Sequence, residues 1–176
     1  WTEIMYIGIP SMTSSLIAPM TTAFITWQVS SFGQEAVAGF GIASRIEGLA
    51  MLCIMALSAS IAPFTGQNYG RGNYDRVKEG IRFAYRFALG YGLIVAVLMF
   101  ALSPYIAAAF TDDPTATNAT LMHMRMVPWS YLGLGIGMIS VSAFNAIGKP
   151  IPAMWISLTR TILVYAPMAF FLAWWI

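Results

Sequence analysis

The sequence predicts an all-α membrane protein, a polytopic helical bundle of about five transmembrane helices. Of its 176 residues, 59% are hydrophobic and only 9% are charged, whereas about a quarter of the residues of a soluble domain are charged. The mean hydropathy is +0.71. Apolar runs of about 20 residues or more recur, and each is long enough to cross a bilayer. These runs far exceed the roughly ten alternating residues of a barrel strand, so the spans are expected to be helices.

The predicted spans cover approximately residues 4–32, 36–64, 87–110, 120–147, and 152 onward. Pro128 is expected to bend the fourth span, since proline removes a helical hydrogen bond. Residues 63–76 form a polar, glycine-rich break, which predicts a helix end, a turn and a helix start at a membrane surface. We expect residues 1–176 to be a single transmembrane domain. We also expect them to be a piece of a longer polypeptide, because the sequence stops within an apolar segment.

The charges predict how the chain is oriented. Positive charge favours the cytoplasmic side of a membrane. Basic residues gather after the second and fourth spans, whereas acidic residues follow the first and third. We therefore expect a multi-pass protein of the cell inner membrane with loop 66–80 in the cytoplasm. The basic stretch after that loop is expected to contact lipid headgroups rather than nucleic acid. Its members are Arg76, Lys78, Arg82 and Arg86.

Two charged residues, Arg45 and Glu47, lie near the middle of the second span. A charge at this depth is costly unless it faces protein or water. Two positions apart on a helix, their side chains diverge by about 200°, so each needs a partner elsewhere. Arg160 in the fifth span reaches a similar depth and is a candidate partner for Glu47. Two interpretations stay open: a buried structural ion pair, or a carboxylate that takes part in coupling or gating by exchanging a proton or binding a cation.

Small hydroxyl side chains recur along one face of the first span, at Ser15, Thr22 and Thr26. One interpretation is that they allow close helix packing and bond back to carbonyls of their own helix. The other is that this face lines a wet cavity, into which Pro19 frees a carbonyl group.

Motifs of catalysis and metal binding are absent from the sequence, so we expect neither an enzyme nor a bound cofactor. The Gly-Lys pair at 148–149 is followed by proline rather than the Ser or Thr of a phosphate-binding loop. His123 is the one histidine of the chain, and one histidine does not make a metal site. We interpret His123 as an isolated residue near a membrane boundary.

Four segments together resemble the second half of multidrug and toxic compound extrusion (MATE) transporters. They are Gly-Ile-Pro at 8–10, the segment 38–47 that ends in Arg-Ile-Glu, Pro-Phe-Thr-Gly-Gln-Asn-Tyr-Gly at 63–70, and Ala-Phe-Asn-Ala-Ile-Gly-Lys-Pro at 143–150. The resemblance covers essentially the whole chain. It implies two six-helix lobes around a central cavity, with this chain as helices seven to eleven, the second lobe without its last helix.

This resemblance also implies a function and a set of partners. The family exports cationic, aromatic compounds in exchange for H⁺ or Na⁺, so the expected partners are lipid, cationic drugs and the N-terminal lobe. The family motif of the cytoplasmic link falls on Gly66, Gln67, Asn68 and Gly70, and Asn145 joins the cavity-lining candidates. The carboxylates used by one branch of the family are missing, since residues 14–22 and 131–143 contain no acid. The chain therefore resembles the branch whose essential aspartate lies in helix one.

The sequence thus predicts part of a secondary antiporter that works by alternating access. A lipid-linked precursor flippase of the same superfamily and a structural, non-transporting membrane fragment are the alternatives. The sequence leaves open the substrate, the coupling ion and the oligomeric state.

Overall fold

A computed structural model of the chain describes residues 2–160, without the side chains of residues 2–4, 6, 7, 10, 11, 13–15, 17, 18 and 160. Over this range the fold is all-α, as predicted. The helices are α1 (Thr2–Ser30), α2 (Gln34–Gly70), α3 (Tyr74–Phe110), α4 (Pro114–Met126), α5 (Tyr131–Ala146) and α6 (Pro150–Arg160). A 3₁₀ turn, Val127–Ser130, joins α4 to α5 without a loop.

Because α4, the 3₁₀ turn and α5 follow one another directly, residues 2–160 form five helical rods, which match the five predicted spans. Within the described residues, three rods have the length and apolar character needed to cross a membrane: Gln34–Gly70, Tyr74–Phe110 and Pro114–Ala146. The predicted interruption at Pro128 is confirmed, since this residue lies within the 3₁₀ turn.

The predicted loop 66–80 is wrong in extent. Helix α2 continues through Pro63 to Gly70, and α3 begins at Tyr74, so only residues 71–73 form the turn. Membrane helices tolerate an internal proline because neighbouring helices and local adjustments satisfy the carbonyl it leaves free. The glycine-rich composition was therefore a poor guide to where the helix ends.

Two helix ends have the same geometry. At the end of α2, the Asn73 N–H donates to the Asn68 carbonyl at 2.9 Å, and Gly72 has a φ of 76°. At the end of α5, the Lys149 N–H donates to the Phe144 carbonyl at 2.9 Å, and Gly148 has a φ of 70°. Both are Schellman motifs, in which glycine takes the left-handed conformation that other residues avoid.

The core lies between α2, α3 and α5, where small residues let the helices approach closely. Gly135 of α5 faces Ala88 of α3 and Ile54 of α2, and both of these side chains are fully buried. Large apolar side chains elsewhere point outward, as expected where the surroundings are lipid rather than water. They include Leu49, Leu52, Leu93, Ile94, Val97 and Leu98.

Candidate functional site

A contact between a histidine and a carboxylate joins α2 to α4. The Nε2 atom of His123 lies 3.2 Å from Oε2 of Glu47. Their side chains are 13% and 26% exposed, respectively, so both are mostly covered. The Phe40 ring meets the imidazole edge-on, at a centroid distance of 5.3 Å and an interplanar angle of 75°. An imidazole and a carboxylate held in this way can share, take up and release a proton.

Backbone packing fixes the position of this pair. Thr120, three residues before His123 and on the same face of α4, donates its hydroxyl to the Gly39 carbonyl at 3.1 Å. Gly39 itself packs so closely on the Ala116 carbonyl that a Cβ atom there would clash with it. Helix α4 therefore contacts α2 at successive turns, and the imidazole reaches Glu47 from a fixed backbone.

The sequence did not identify this partner of Glu47. It offered Arg160 and treated His123 as isolated, whereas the structure places His123 against the carboxylate. Arg45 is exposed, and the side chain of Arg160 lies outside the described residues. No local pattern indicated this contact, because the two residues are 76 positions apart in the sequence.

The cation on α4, Arg125, is directed away from this pair. The Nε atom of Arg125 is 3.3 Å from the Ser103 hydroxyl of α3. Its guanidinium also lies over the Phe100 ring, 5.6 Å from the centroid. Arg125 therefore links α4 to α3 and does not neutralise Glu47.

The hydroxyl face of α1 borders an open, shallow surface, which we call the α1 groove. Its lining residues are Pro19, Thr22, Ala23, Thr26, Trp27 and Ser30. The Thr26 hydroxyl donates to the Thr22 carbonyl at 2.8 Å, which agrees with the packing interpretation of this residue. Trp27 is 69% exposed and presents a large aromatic surface. Ser15, also proposed to line the cavity, has its side chain outside the described residues.

The family-motif residues lie where α2 and α5 end. Gln67 and Gly70 are exposed in the last turns of α2, and the Asn68 amide donates to the Phe64 carbonyl at 2.8 Å. Gly66 faces the Ala146 carbonyl of α5. Asn145 lies beside this contact, with its side-chain oxygen buried and without a protein donor. These residues therefore form a helix junction, distant along α2 from Glu47.

Comparisons with known proteins place the chain in a family. The MatE family model matches residues 10–171. A protein of Shewanella oneidensis described as an FAD transporter is 30% identical over 169 residues, covering 96% of this chain and 37% of that protein. The multidrug export protein MepA of Staphylococcus aureus is 26% identical over 148 residues, covering 84% of this chain and 32% of that protein.

A solved structure shares the fold. The Vibrio cholerae MATE transporter VcmN in its bent form superposes with a TM-score of 0.86 at 32% identity, covering 93% of this chain and 37% of VcmN. The chain thus spans about a third of the length of the relatives it matches, which are membrane transporters. Given the family match over nearly its whole length, the chain belongs to the MatE family.

Proposed function

We propose that this chain is part of a secondary antiporter that exports lipophilic cationic or aromatic compounds in exchange for H⁺ or Na⁺. The observation that carries the proposal is the mostly covered Glu47–His123 pair between two helices of a MatE-family bundle. Ionisable groups inside membrane helices are costly and generally serve transport. The proposal makes the protein a transporter rather than an enzyme.

The α1 groove supports the substrate class. Its hydroxyls offer hydrogen bonds, and the exposed Trp27 offers a flat ring on which an aromatic or cationic compound can stack. In the complete transporter, the N-terminal lobe would close this groove from the opposite side, so the chain would correspond to helices seven to eleven. Transport by two lobes that rock about a central site follows from that arrangement.

Export of a flavin nucleotide is a second candidate. It is favoured by the Shewanella relative described as an FAD transporter, which matches 96% of this chain. A flavin combines an aromatic ring with a negatively charged diphosphate. The aromatic Trp27 would suit the ring, and the exposed cation Arg45 would suit the phosphates.

The test is transport by the complete parent protein in proteoliposomes, with ethidium and FAD as separate substrates. Each substrate is followed under an imposed pH gradient and under a Na⁺ gradient. Ethidium export driven by either gradient would support multidrug antiport, and FAD export alone would support the second candidate. If folded protein moved neither compound, both proposals would be wrong, and the lipid-linked precursor flippase or a structural role would replace them.

A further inference from the structure

We propose that Arg82 and Arg86, in the third and fourth turns of α3, bind the headgroup phosphate of an anionic phospholipid such as phosphatidylglycerol. The site lies at the end of the bundle that carries the α2–α3 turn, and both side chains are exposed. It does not depend on which compound the parent protein transports. Contact with lipid in general needs no particular residue, whereas this site needs two arginines at one depth.

The length of α3 places the two arginines at the membrane surface. The helix has 37 residues, so it is about 55 Å long, whereas the hydrocarbon core of a bilayer is about 30 Å thick. Residues 87–110 contain no Asp, Glu, Lys or Arg, and at about 36 Å they are long enough to cross that core. The boundary therefore falls next to Arg86, with Arg82 about 6 Å further out. Both side chains reach the headgroup layer, which is roughly 5–8 Å deep in each leaflet.

The other two cations of α3 lie outside this layer. Arg76 and Lys78 are about 15 Å and 12 Å from Arg86 along the helix axis, on the water side of the headgroups. Lys78 also has an acidic partner, since its Nζ atom lies 3.4 Å from Oδ1 of Asp75. That pair and the His123–Glu47 contact are the ion pairs of the described residues, so over residues 2–160 the two proposed arginines have no carboxylate partner.

The two guanidinium groups share one face of α3. Residues four positions apart on a helix are neighbours, with Cβ atoms about 5–6 Å apart, so both groups can donate to one phosphate. The planar guanidinium matches the geometry of phosphate oxygens and donates to two of them at once. The opposite face of these turns packs into the bundle through Ala84 and Ala88, which are fully buried. Arg82 and Arg86 are thereby directed outwards.

Apolar side chains beside the arginines extend this surface towards the hydrocarbon. Phe83 and Phe87 are exposed, and Phe87 stacks on Tyr91 one turn further along, with ring centroids 6.0 Å apart. Ile94 is exposed one turn beyond position 90. A phospholipid carries its charged phosphate above apolar chains, and this strip of α3 presents guanidinium groups and then apolar side chains in the same order. A soluble anion would use only the charged part.

The charge of the site favours an anionic headgroup over a zwitterionic one. A zwitterionic headgroup brings its own cation next to the phosphate, which competes with the two arginines. Each basic residue near an anionic membrane surface strengthens binding about fivefold. Glu79, three positions before Arg82, is exposed and lies at the outer end of the same face, so its carboxylate opposes an anion.

The test measures which lipid lies next to this face in the complete parent protein. A bimane fluorophore is attached to Gly90→Cys in a variant whose other cysteines, including Cys53, are replaced by serine. Position 90 is exposed, follows Arg86 by one turn on the same face, and has nothing within 4 Å of an added Cβ. The protein is reconstituted in mixed vesicles of phosphatidylglycerol and phosphatidylcholine, in which one or the other carries a doxyl quencher on its acyl chain. Titration of each quencher gives the relative association constant of the two lipids.

We expect the association constant of phosphatidylglycerol to exceed that of phosphatidylcholine about tenfold, and this ratio to fall to about twofold or less when Arg82→Gln and Arg86→Gln are combined. Both side chains are exposed, so the double variant should fold. Lys78→Gln is the matched control, because it removes a cation of the same helix that lies beyond the headgroups, and it should leave the ratio unchanged. Glu79→Gln should raise the ratio about twofold, because the opposing charge is removed.

Equal association of the two lipids with the wild-type face would overturn the proposal, and this comparison needs no substitution in the site. A ratio that persisted in the folded double variant, or that fell as far in Lys78→Gln, would overturn it too, since general positive charge would then explain the preference. Loss of the preference on adding inorganic phosphate at constant ionic strength would overturn it in favour of a soluble anion. None of these results depends on transport, so the proposed function stands or falls separately.

Discussion

Ser58 and Ser142 join α2 to α5 through a hydroxyl and a backbone carbonyl. Ser142 Oγ donates to the Ser58 carbonyl oxygen at 2.6 Å, and Ser58 Oγ in turn donates to the Met138 carbonyl at 3.0 Å. Such bonds between membrane helices each contribute about 0.6 kcal/mol on average, because the unfolded chain in lipid also finds partners.

The Ser142→Ala substitution is therefore predicted to destabilise the bundle by about 0.6 kcal/mol. Thermal unfolding in detergent measures this change. Ser60→Ala is the matched control, since its hydroxyl bonds to the Ala56 carbonyl of its own helix and is exposed. Equal stability of both variants would show that the α2–α5 hydrogen bond contributes nothing.

Gly39 allows the closest helix approach near the candidate site. In Gly39→Ala the new Cβ would collide with the Ala116 carbonyl, which is backbone and cannot move aside freely. We predict a loss of about 1–3 kcal/mol from overpacking and weaker gradient-driven export, because α4 and His123 shift away from Glu47. Gly48→Ala serves as the control. Nothing lies within 4 Å of its added Cβ, so alanine should stabilise α2 by up to about 1 kcal/mol. A harmless Gly39→Ala would contradict this account of the α2–α4 contact.

Glu47→Gln should reduce gradient-driven ethidium export of the parent protein about tenfold. Glutamine preserves size and a hydrogen bond to His123 but removes the negative charge, so insertion and folding should persist. Glu35→Gln, at the exposed start of the same helix, should leave export unchanged. Unaltered export by Glu47→Gln would assign the carboxylate a purely structural role.

We predict that the α1 groove is accessible to water. With Cys53 replaced by serine, a cysteine at position 22 should react with a charged, membrane-impermeant thiol reagent because Thr22 lines the groove. A cysteine at position 20 should not react with this reagent. Met20 is 69% exposed, but its side chain points about 200° away from that of Thr22 around the helix, and we expect it to face lipid. Equal labelling of both positions would show that the groove is no more accessible to water than the opposite side of α1.

The orientation of the chain can be tested at its turns. Asn73→Cys lies in the turn between α2 and α3, beside the basic start of α3, and should react with an impermeant reagent from the cytoplasmic side only. Asp112→Cys, between α3 and α4, should react from the opposite side only. The reverse pattern would invert the predicted topology.

Secondary structure followed closely from local chemistry. The end of α3 at Phe110, the interruption at Pro128 and the turn at Gly148 all match the sequence prediction, because proline and glycine act on their own few residues. The predicted loop 66–80 failed for a related reason. The glycines at 66 and 70 fit a helix as readily as a loop, and within residues 66–80 only Gly72 takes a positive φ.

By itself, the sequence determined that this is an all-α membrane bundle, because composition and the length of apolar runs decide what can cross a bilayer. It also identified Glu47 as a candidate functional residue, because a charge within an apolar run is unusual. Only the tertiary structure decided that His123 is its partner. The two residues are 76 positions apart, and their contact depends on how Gly39 lets α4 approach α2, which no local pattern specifies.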